Sequence, residues 1–162
     1  MSMRPRFLRN PIVVAGLCAF AVAMLGGSIT QLGPWYYSLE QPAWKPPDWA
    51  FAPAWTLIFA LAAVSGAKAW RGLTHPRERA GMVCLFGLNA LFNVGWSALF
   101  FLAQRPDLAL LEVGLLWSSV LLLIVLLWRP VRTAAWLLVP YLIWVTFAAA
   151  LNAAVVQLNS FG

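Results

Sequence analysis

Residues 41–49 read Gln-Pro-Ala-Trp-Lys-Pro-Pro-Asp-Trp, and this polar stretch separates two long apolar runs. Proline fixes its own φ and lacks an N–H donor, so neither flanking helix can continue through the segment. Trp44, Trp49 and Trp55 supply flat amphipathic side chains of the kind enriched at membrane–water interfaces. Two interpretations stay open: a loop that anchors a helix hairpin among lipid headgroups, or a roof over a binding site.

The composition excludes an ordinary soluble domain. Hydrophobic residues make up 62% of the 162-residue chain and charged residues 10%, against about 25% charged in soluble domains. A membrane-spanning helix needs about 20 mostly apolar residues. We therefore expect an all-α integral membrane protein, a five-transmembrane-helix bundle that forms a single domain over 1–162, with a retained first helix and a Trp/Pro loop at 33–47. The expected helices are 11–32, 48–70, 80–103, 107–128 and 134–158.

The net charge of +6 is explained by membrane orientation rather than by nucleic acid. With the N-terminus in the cytoplasm, only Lys45 and Arg105 fall outside, and this asymmetry follows the positive-inside rule. The Trp/Pro loop and the C-terminus then lie on the outer side. The short uncharged tail favours a bacterial inner membrane. The basic residues expected inside are Arg4, Arg6, Arg9, Lys68, Arg71, Arg77, Arg79, Arg129 and Arg132.

The sequence offers no metal-ligand set and no recognisable acid–base or nucleophile pair. Cys18 and Cys84 lie in different apolar runs without metal-ligand spacing, and His75 is the single histidine. We therefore expect no metal site and no His-based triad.

Two apolar runs carry polar and aromatic residues at helical spacing. Asn89, Asn93, Trp96 and Phe100 share one face of the third run. Amides at membrane depth must find partners, because hydrocarbon provides none. They serve either as hydrogen-bonding links between helices or as polar contacts inside a cavity.

The fifth run repeats this pattern, with Tyr141, Trp144, Ala148 and Asn152 on one stripe. Such a stripe is compatible with simple packing, and the pair of stripes also favours a shared cavity. Glu112 is the one acid inside an apolar run; it either pairs near the interface, with Arg105 as the candidate partner, or contacts a ligand or proton.

These residues bear a collinear resemblance to the translocator protein family, also called tryptophan-rich sensory proteins or peripheral benzodiazepine receptors. The resemblance begins at Trp35-Tyr36 and the Trp/Pro loop, and covers nearly the whole chain. Its further motifs are Leu88-Asn89-Ala90-Leu91-Phe92-Asn93, Leu108-Ala109-Leu110-Leu111-Glu112, Pro140-Tyr141-Leu142-Ile143-Trp144 and Leu151-Asn152.

The resemblance implies a homodimeric five-helix bundle with a ligand cavity that opens toward the first loop. It implies porphyrin, haem-like tetrapyrrole or other hydrophobic ligands, bound as ligands rather than as cofactors. The animal sterol motif, a Tyr followed shortly by Lys or Arg, has no counterpart after Asn152. With Tyr141 added from its stripe, the expected ligand-binding residues are Tyr36, Trp44, Trp55, Asn89, Asn93, Tyr141, Trp144, Ala148 and Leu151.

Three functions follow as hypotheses. The first is a membrane receptor, sensor or carrier for tetrapyrroles, with aromatic walls that stack on the macrocycle. The second is an enzyme-like, light- and oxygen-dependent breakdown of bound porphyrin, for which the resemblance implicates Trp55 and Trp144. The third is a structural or partner-modulating bundle without a small ligand.

Overall fold

A computed structural model describes residues 10–161 of the chain. Within that range the protein is built from helices, with no strand. Arg4, Arg6 and Arg9, which contributed to the expected orientation, lie outside the described residues.

Five helices in the described range are long and apolar enough to cross a membrane. They are α1, α3, α4, α5 and α6, while α2 is a single short turn inside the first loop. The bounds are α1 Pro11–Ile29, α2 Pro34–Ser38, a 3-10 turn Asp48–Ala50, α3 Phe51–Gly72, α4 Pro76–Ser97 with a π-helical extension Ala98–Leu102, α5 Pro106–Trp128 and α6 Arg132–Leu158.

Prolines set several of these boundaries. Pro11, Pro34, Pro76 and Pro106 each stand in the first turn of a helix, where the missing N–H leaves no hydrogen bond unmade. This explains why α4 begins four residues before the expected start at 80. Helix α2 was not foreseen, because a five-residue helix carries no periodic signal.

The helices form a closed ring in the order α1, α3, α6, α5, α4, with α4 returning to α1. The most deeply buried side chains lie where α5 packs on α6, and among them Leu123 and Leu138 are almost fully buried. Small residues allow α3 to approach α6: the Ser65 hydroxyl on α3 donates to the Ala134 carbonyl on α6 at 2.8 Å. In contrast, α1 has no buried residue.

An ion pair in the turn between α4 and α5 contradicts one expectation. Arg105 pairs with Asp107 at 2.5 Å, so the suggested Arg105–Glu112 pair is wrong. The local pair is favoured because its members are two positions apart in the chain, whereas Glu112 lies more than a helical turn deeper. The buried carboxylate oxygens of Glu112 have no hydrogen-bond partner among residues 10–161.

Gly72, at the end of α3, packs closely against the turn that joins α5 to α6, and this contact can be tested. A Cβ at Gly72 would lie 2.6 Å from Cγ2 of Val131, a stiff β-branched side chain. We expect Gly72→Ala to destabilise the protein by about 1–3 kcal/mol, seen as a lower melting temperature in detergent. The matched control is Gly81→Ala, because a Cβ at Gly81 meets no atom within 4 Å. An equal response of the two variants would contradict this packing.

Candidate functional site

A cavity of about 410 Å³ lies beneath the first loop, enclosed by α1, α3, α4 and α6. We call it the loop cavity. Aromatic side chains are the largest class in its lining, beside several polar residues and small residues of α1. The aromatic lining residues are Tyr36, Phe51, Trp55, Phe59, Trp96, Phe100, Phe101 and Trp144.

Trp55 and Trp144 form the centre of the aromatic wall. Their ring centroids are 6.3 Å apart in an edge-to-face arrangement, and Phe59 stacks on Trp55 at 5.4 Å. Phe51 packs edge-on against Trp144 at 5.8 Å. Such pairs hold aromatic rings in fixed orientations, so the cavity has rigid flat surfaces on its α3 and α6 sides.

Two N–H groups of the lining are buried without a hydrogen-bond partner among residues 10–161. They are the indole Nε1 of Trp144 and the amide Nε2 of Gln41. A buried donor left unpaired costs about 1–3 kcal/mol. A ligand that carries acceptor oxygens or nitrogens would satisfy such donors, so the cavity has polar positions ready for one.

The amides of α4 form a directed hydrogen-bond chain across the bundle. Asn93 donates to the Tyr141 hydroxyl at 3.2 Å, Tyr141 donates to Asn89 Oδ1 at 3.2 Å, and Asn89 donates to Ser119 at 2.9 Å. Ser119 ends the chain on the Leu116 carbonyl. The chain links α4, α6 and α5, and thereby satisfies the amide donors of both Asn residues.

A second link stands beside the cavity. The Trp96 indole donates to Asn152 Oδ1 at 3.1 Å, and Asn152 donates to the Pro106 carbonyl at 2.8 Å. Asn152 is almost fully buried. Its amide therefore fixes the Trp96 ring and the start of α5 at once.

The first loop is fastened to the turn that precedes α3 by a partly buried polar triad. The Tyr36 hydroxyl donates to Asp48 at 3.1 Å and accepts from Lys45 at 3.2 Å, and Lys45 pairs with Asp48. Burial raises the pKa of Tyr36. Partial burial opposes the charge of Lys45, but its hydrogen bonds to Asp48 and Tyr36 outweigh that penalty and raise its pKa. At neutral pH the triad thus holds a neutral phenol and a charged ammonium.

A second attachment joins the loop to the end of α6. The Glu40 backbone N–H donates to Asn159 Oδ1 at 3.0 Å, and Asn159 Nδ2 donates to the Glu40 carbonyl at 2.9 Å. Trp35 on α2 also packs edge-on against Phe100. The loop therefore covers the cavity as a lid that is attached at both the turn that precedes α3 and the end of α6.

The residues predicted from the sequence as ligand-binding separate into three groups. Trp44 is 52% exposed and packs against Phe147, outside the cavity lining. Asn89 and Tyr141 line a different cavity on the opposite half of the bundle. Those that line the loop cavity are Tyr36, Trp55, Asn93, Trp144, Ala148 and Leu151.

Sequence reasoning missed several lining residues. Gly26 and Gly27 of α1 leave room beside the aromatics, and Gln41 and Asp48 contribute polar groups under the lid. The adjacent glycines were a signal, since two glycines in an apolar helix expose backbone to a neighbour or ligand. Phe100 and Phe101 both reach the cavity from the π-helical segment, whose wide turns often mark functional sites.

The described residues hold no group of three His, Cys, Asp or Glu side chains that would bind a metal ion. Cys18 and Cys84 are both unpaired and exposed on the apolar surface.

Comparison with known proteins identifies close relatives. The model of the TspO/MBR family matches residues 14–158. Tryptophan-rich protein TspO of Chlorobaculum tepidum is 40% identical over 146 residues, which cover 89% of this chain and 92% of that protein. Protein CrtK of Rhodobacter capsulatus is 37% identical over 147 residues, 90% of this chain and 89% of that one. Translocator protein of Ovis aries is 34% identical over 120 residues, 73% and 70% respectively.

The lid attachment at α6 can be tested directly. Asn159→Ala removes both hydrogen bonds to Glu40, so we expect faster amide exchange in residues 34–45 and a stability loss of about 1 kcal/mol. The measurement is hydrogen–deuterium exchange with mass spectrometry in detergent. Gln157→Ala, at an exposed position nearby, serves as control. Unchanged exchange of the loop in Asn159→Ala would show that this contact does not hold the lid.

Proposed function

This chain belongs to the TspO/MBR family, and from that premise we propose that it is a tetrapyrrole receptor, sensor or carrier of the bacterial inner membrane. The family and the five apolar helices make it a multi-pass membrane protein. The proposed ligands are protoporphyrin and haem-like molecules, held in the loop cavity under the lid.

The observation that carries this proposal is the combination of flat aromatic walls with unpaired N–H donors. A tetrapyrrole is a flat, largely apolar macrocycle, and the Trp55 and Trp144 rings supply surfaces on which such a plane stacks. Its propionate oxygens are acceptors, which suit the donors of Trp144 and Gln41. Lys45 is already paired with Asp48, so we assign it to the lid rather than to the ligand.

The adjacency of Trp55 and Trp144 also favours a second candidate. Both indoles line the same cavity, so a porphyrin bound there would contact two oxidisable rings. In light and air, the excited porphyrin and dioxygen would supply the oxidant for its own breakdown. This activity is separable from binding, because binding proceeds in the dark.

Homodimer formation is part of the proposal as well. Helix α1 carries small residues at four-residue intervals, Ala15, Ala19, Ala23 and Gly27. This row faces the bundle interior, since Ala23 and Gly27 line the loop cavity. Gly114 and Ser118 on α5 instead lie exposed on the outer surface, where small residues permit close approach of a second copy.

Binding of protoporphyrin tests the function. Trp144→Phe keeps a ring but removes the N–H donor, so we expect dark binding to weaken about two- to twelvefold, as for a lost hydrogen bond of about 0.5–1.5 kcal/mol. Trp55→Phe shrinks the stacking surface and weakens binding in the same direction. Dark titrations followed by Trp fluorescence give the dissociation constants, and porphyrin absorption after illumination in air gives the rate of loss.

Trp136→Phe is the matched control, because Trp136 is 55% exposed and contacts Trp128 at the far end of the bundle. Saturable dark binding that only the cavity variants weaken supports the receptor. Light-dependent loss that needs both Trp55 and Trp144 supports the breakdown activity. No saturable binding in the wild type would refute both.

Orientation is a separate prediction. We expect the first loop outside and the α3–α4 connection in the cytoplasm. In intact cells of a variant without native cysteines, a membrane-impermeant thiol reagent should label Ser38→Cys but not Thr74→Cys until the membrane is permeabilised. The reverse pattern would invert the topology.

A further inference from the structure

A second cavity of about 560 Å³ lies in the half of the bundle away from the first loop, between α1, α3 and α4. We call it the lower cavity. Phe59 and Asn93 line both cavities and form the wall between them. The small residues Ala15 and Ala19 of α1 line the lower cavity. Gly87 leaves open space in its α4 wall, whereas a Cβ at Gly66 would contact Phe86 and Ala15.

The lining of the lower cavity is suited to hydrocarbon. Its polar members Asn89, Asn93 and Tyr141 already bond to one another in the chain across the bundle. The remaining lining residues are apolar or small, apart from the thiol of Cys18. A ligand there gains from burial of apolar surface rather than from hydrogen bonds.

One end of the lower cavity carries a cation that is held in place. Trp70 lines the cavity, and the guanidinium of Arg79 lies over its ring, 5.1 Å from the centroid. Arg79 Nε donates to the Leu73 carbonyl at 2.7 Å. Arginine has five N–H donors in a fixed fork, so this bond orients the group and leaves donors for an anion.

The surroundings of Arg79 are strongly basic. The ion pairs found among residues 10–161 are Lys45–Asp48 and Arg105–Asp107, both far from this end. Glu78, in the first turn of α4, is the one acid at this end of the bundle within the described range. The basic residues at or beside these connections are Lys68, Arg71, Arg77, Arg79, Arg129 and Arg132.

We propose that the lower cavity binds an anionic phospholipid, with one acyl chain between α1 and α4 and the phosphate on Arg79. An apolar slot with a cation at its membrane-surface end matches a lipid with a charged headgroup. Basic pockets between transmembrane helices bind anionic headgroups in this way. The proposal depends on the membrane location of the chain and not on tetrapyrrole binding.

Quenching by brominated lipid tests the site. The purified full chain in detergent is titrated with phosphatidylglycerol carrying dibrominated acyl chains while Trp fluorescence is followed. A separate sample is titrated with the matching phosphatidylcholine. We expect saturable quenching at lower concentration with phosphatidylglycerol. Arg79→Gln should weaken that binding about fivefold, the effect of one basic residue near a membrane surface, whereas Arg77→Gln, the same charge change at a neighbouring exposed position, should not.

A second variant acts on the cavity itself. Gly87→Phe fills the open space found at this position and should abolish saturable quenching by either lipid, while Leu91→Phe, on an exposed face of α4, should leave it intact. Melting temperatures without lipid verify that each variant folds. Equal affinity for the two lipids, or full affinity in Arg79→Gln, would overturn the proposal. Competition by glycerol phosphate alone would indicate a free-anion site, and competition by protoporphyrin a second porphyrin site; either outcome also overturns it.

Discussion

Hydrocarbon offers no hydrogen-bond partner, and this constraint determines how the polar residues of the bundle are arranged. Every polar side chain at membrane depth must bond within the protein or remain at an energetic cost. Asn93, Tyr141, Asn89 and Ser119 meet the requirement together, and their chain connects three helices. The few donors that do not meet it are therefore informative. Trp144 Nε1, within a spanning helix, is left unpaired, as is Gln41 Nε2 in the loop above it; both lie at the same cavity, and that coincidence locates the candidate site.

The same constraint separates two roles that look alike in a sequence. Asn89 and Asn93 are one helical turn apart on one face, and their spacing alone does not say which faces a ligand. In the structure Asn89 is occupied by its bonds to Tyr141 and Ser119 and is absent from the loop cavity, whereas Asn93 both donates to Tyr141 and lines that cavity. Both interpretations of the amide stripe thus apply, each to part of it. The outcome depends on how α4 is rotated against α6, which is a property of the whole ring.

The sequence was sufficient for the family and for the five-helix architecture, because run length and low charge leave few alternatives in a membrane. The resemblance had placed Trp55 and Trp144 in one expected ligand-binding set, and both rings line the loop cavity, although their role there stays a prediction. The sequence was insufficient to predict how the first loop folds back onto the end of α6. The lid attachment pairs Glu40 with Asn159, which lie 119 residues apart, and no local periodicity records such a contact. Trp44 shows the opposite limit: its place in a motif suggested the cavity, but its ring packs on Phe147 outside.

Phe59 and Asn93 stand between the two cavities, and a shared wall has a thermodynamic consequence. A molecule that moves the Phe59 ring from one side changes the space available on the other. Any such effect on affinity is reciprocal, since linkage requires each occupant to alter the binding free energy of its counterpart by the same amount. Asn93 adds a polar component, because displacing its amide also disturbs Tyr141 and the contacts between α4, α6 and α5. A lipid in the lower cavity and a ligand beneath the lid would therefore each change the other's affinity, because both contact Phe59 and Asn93.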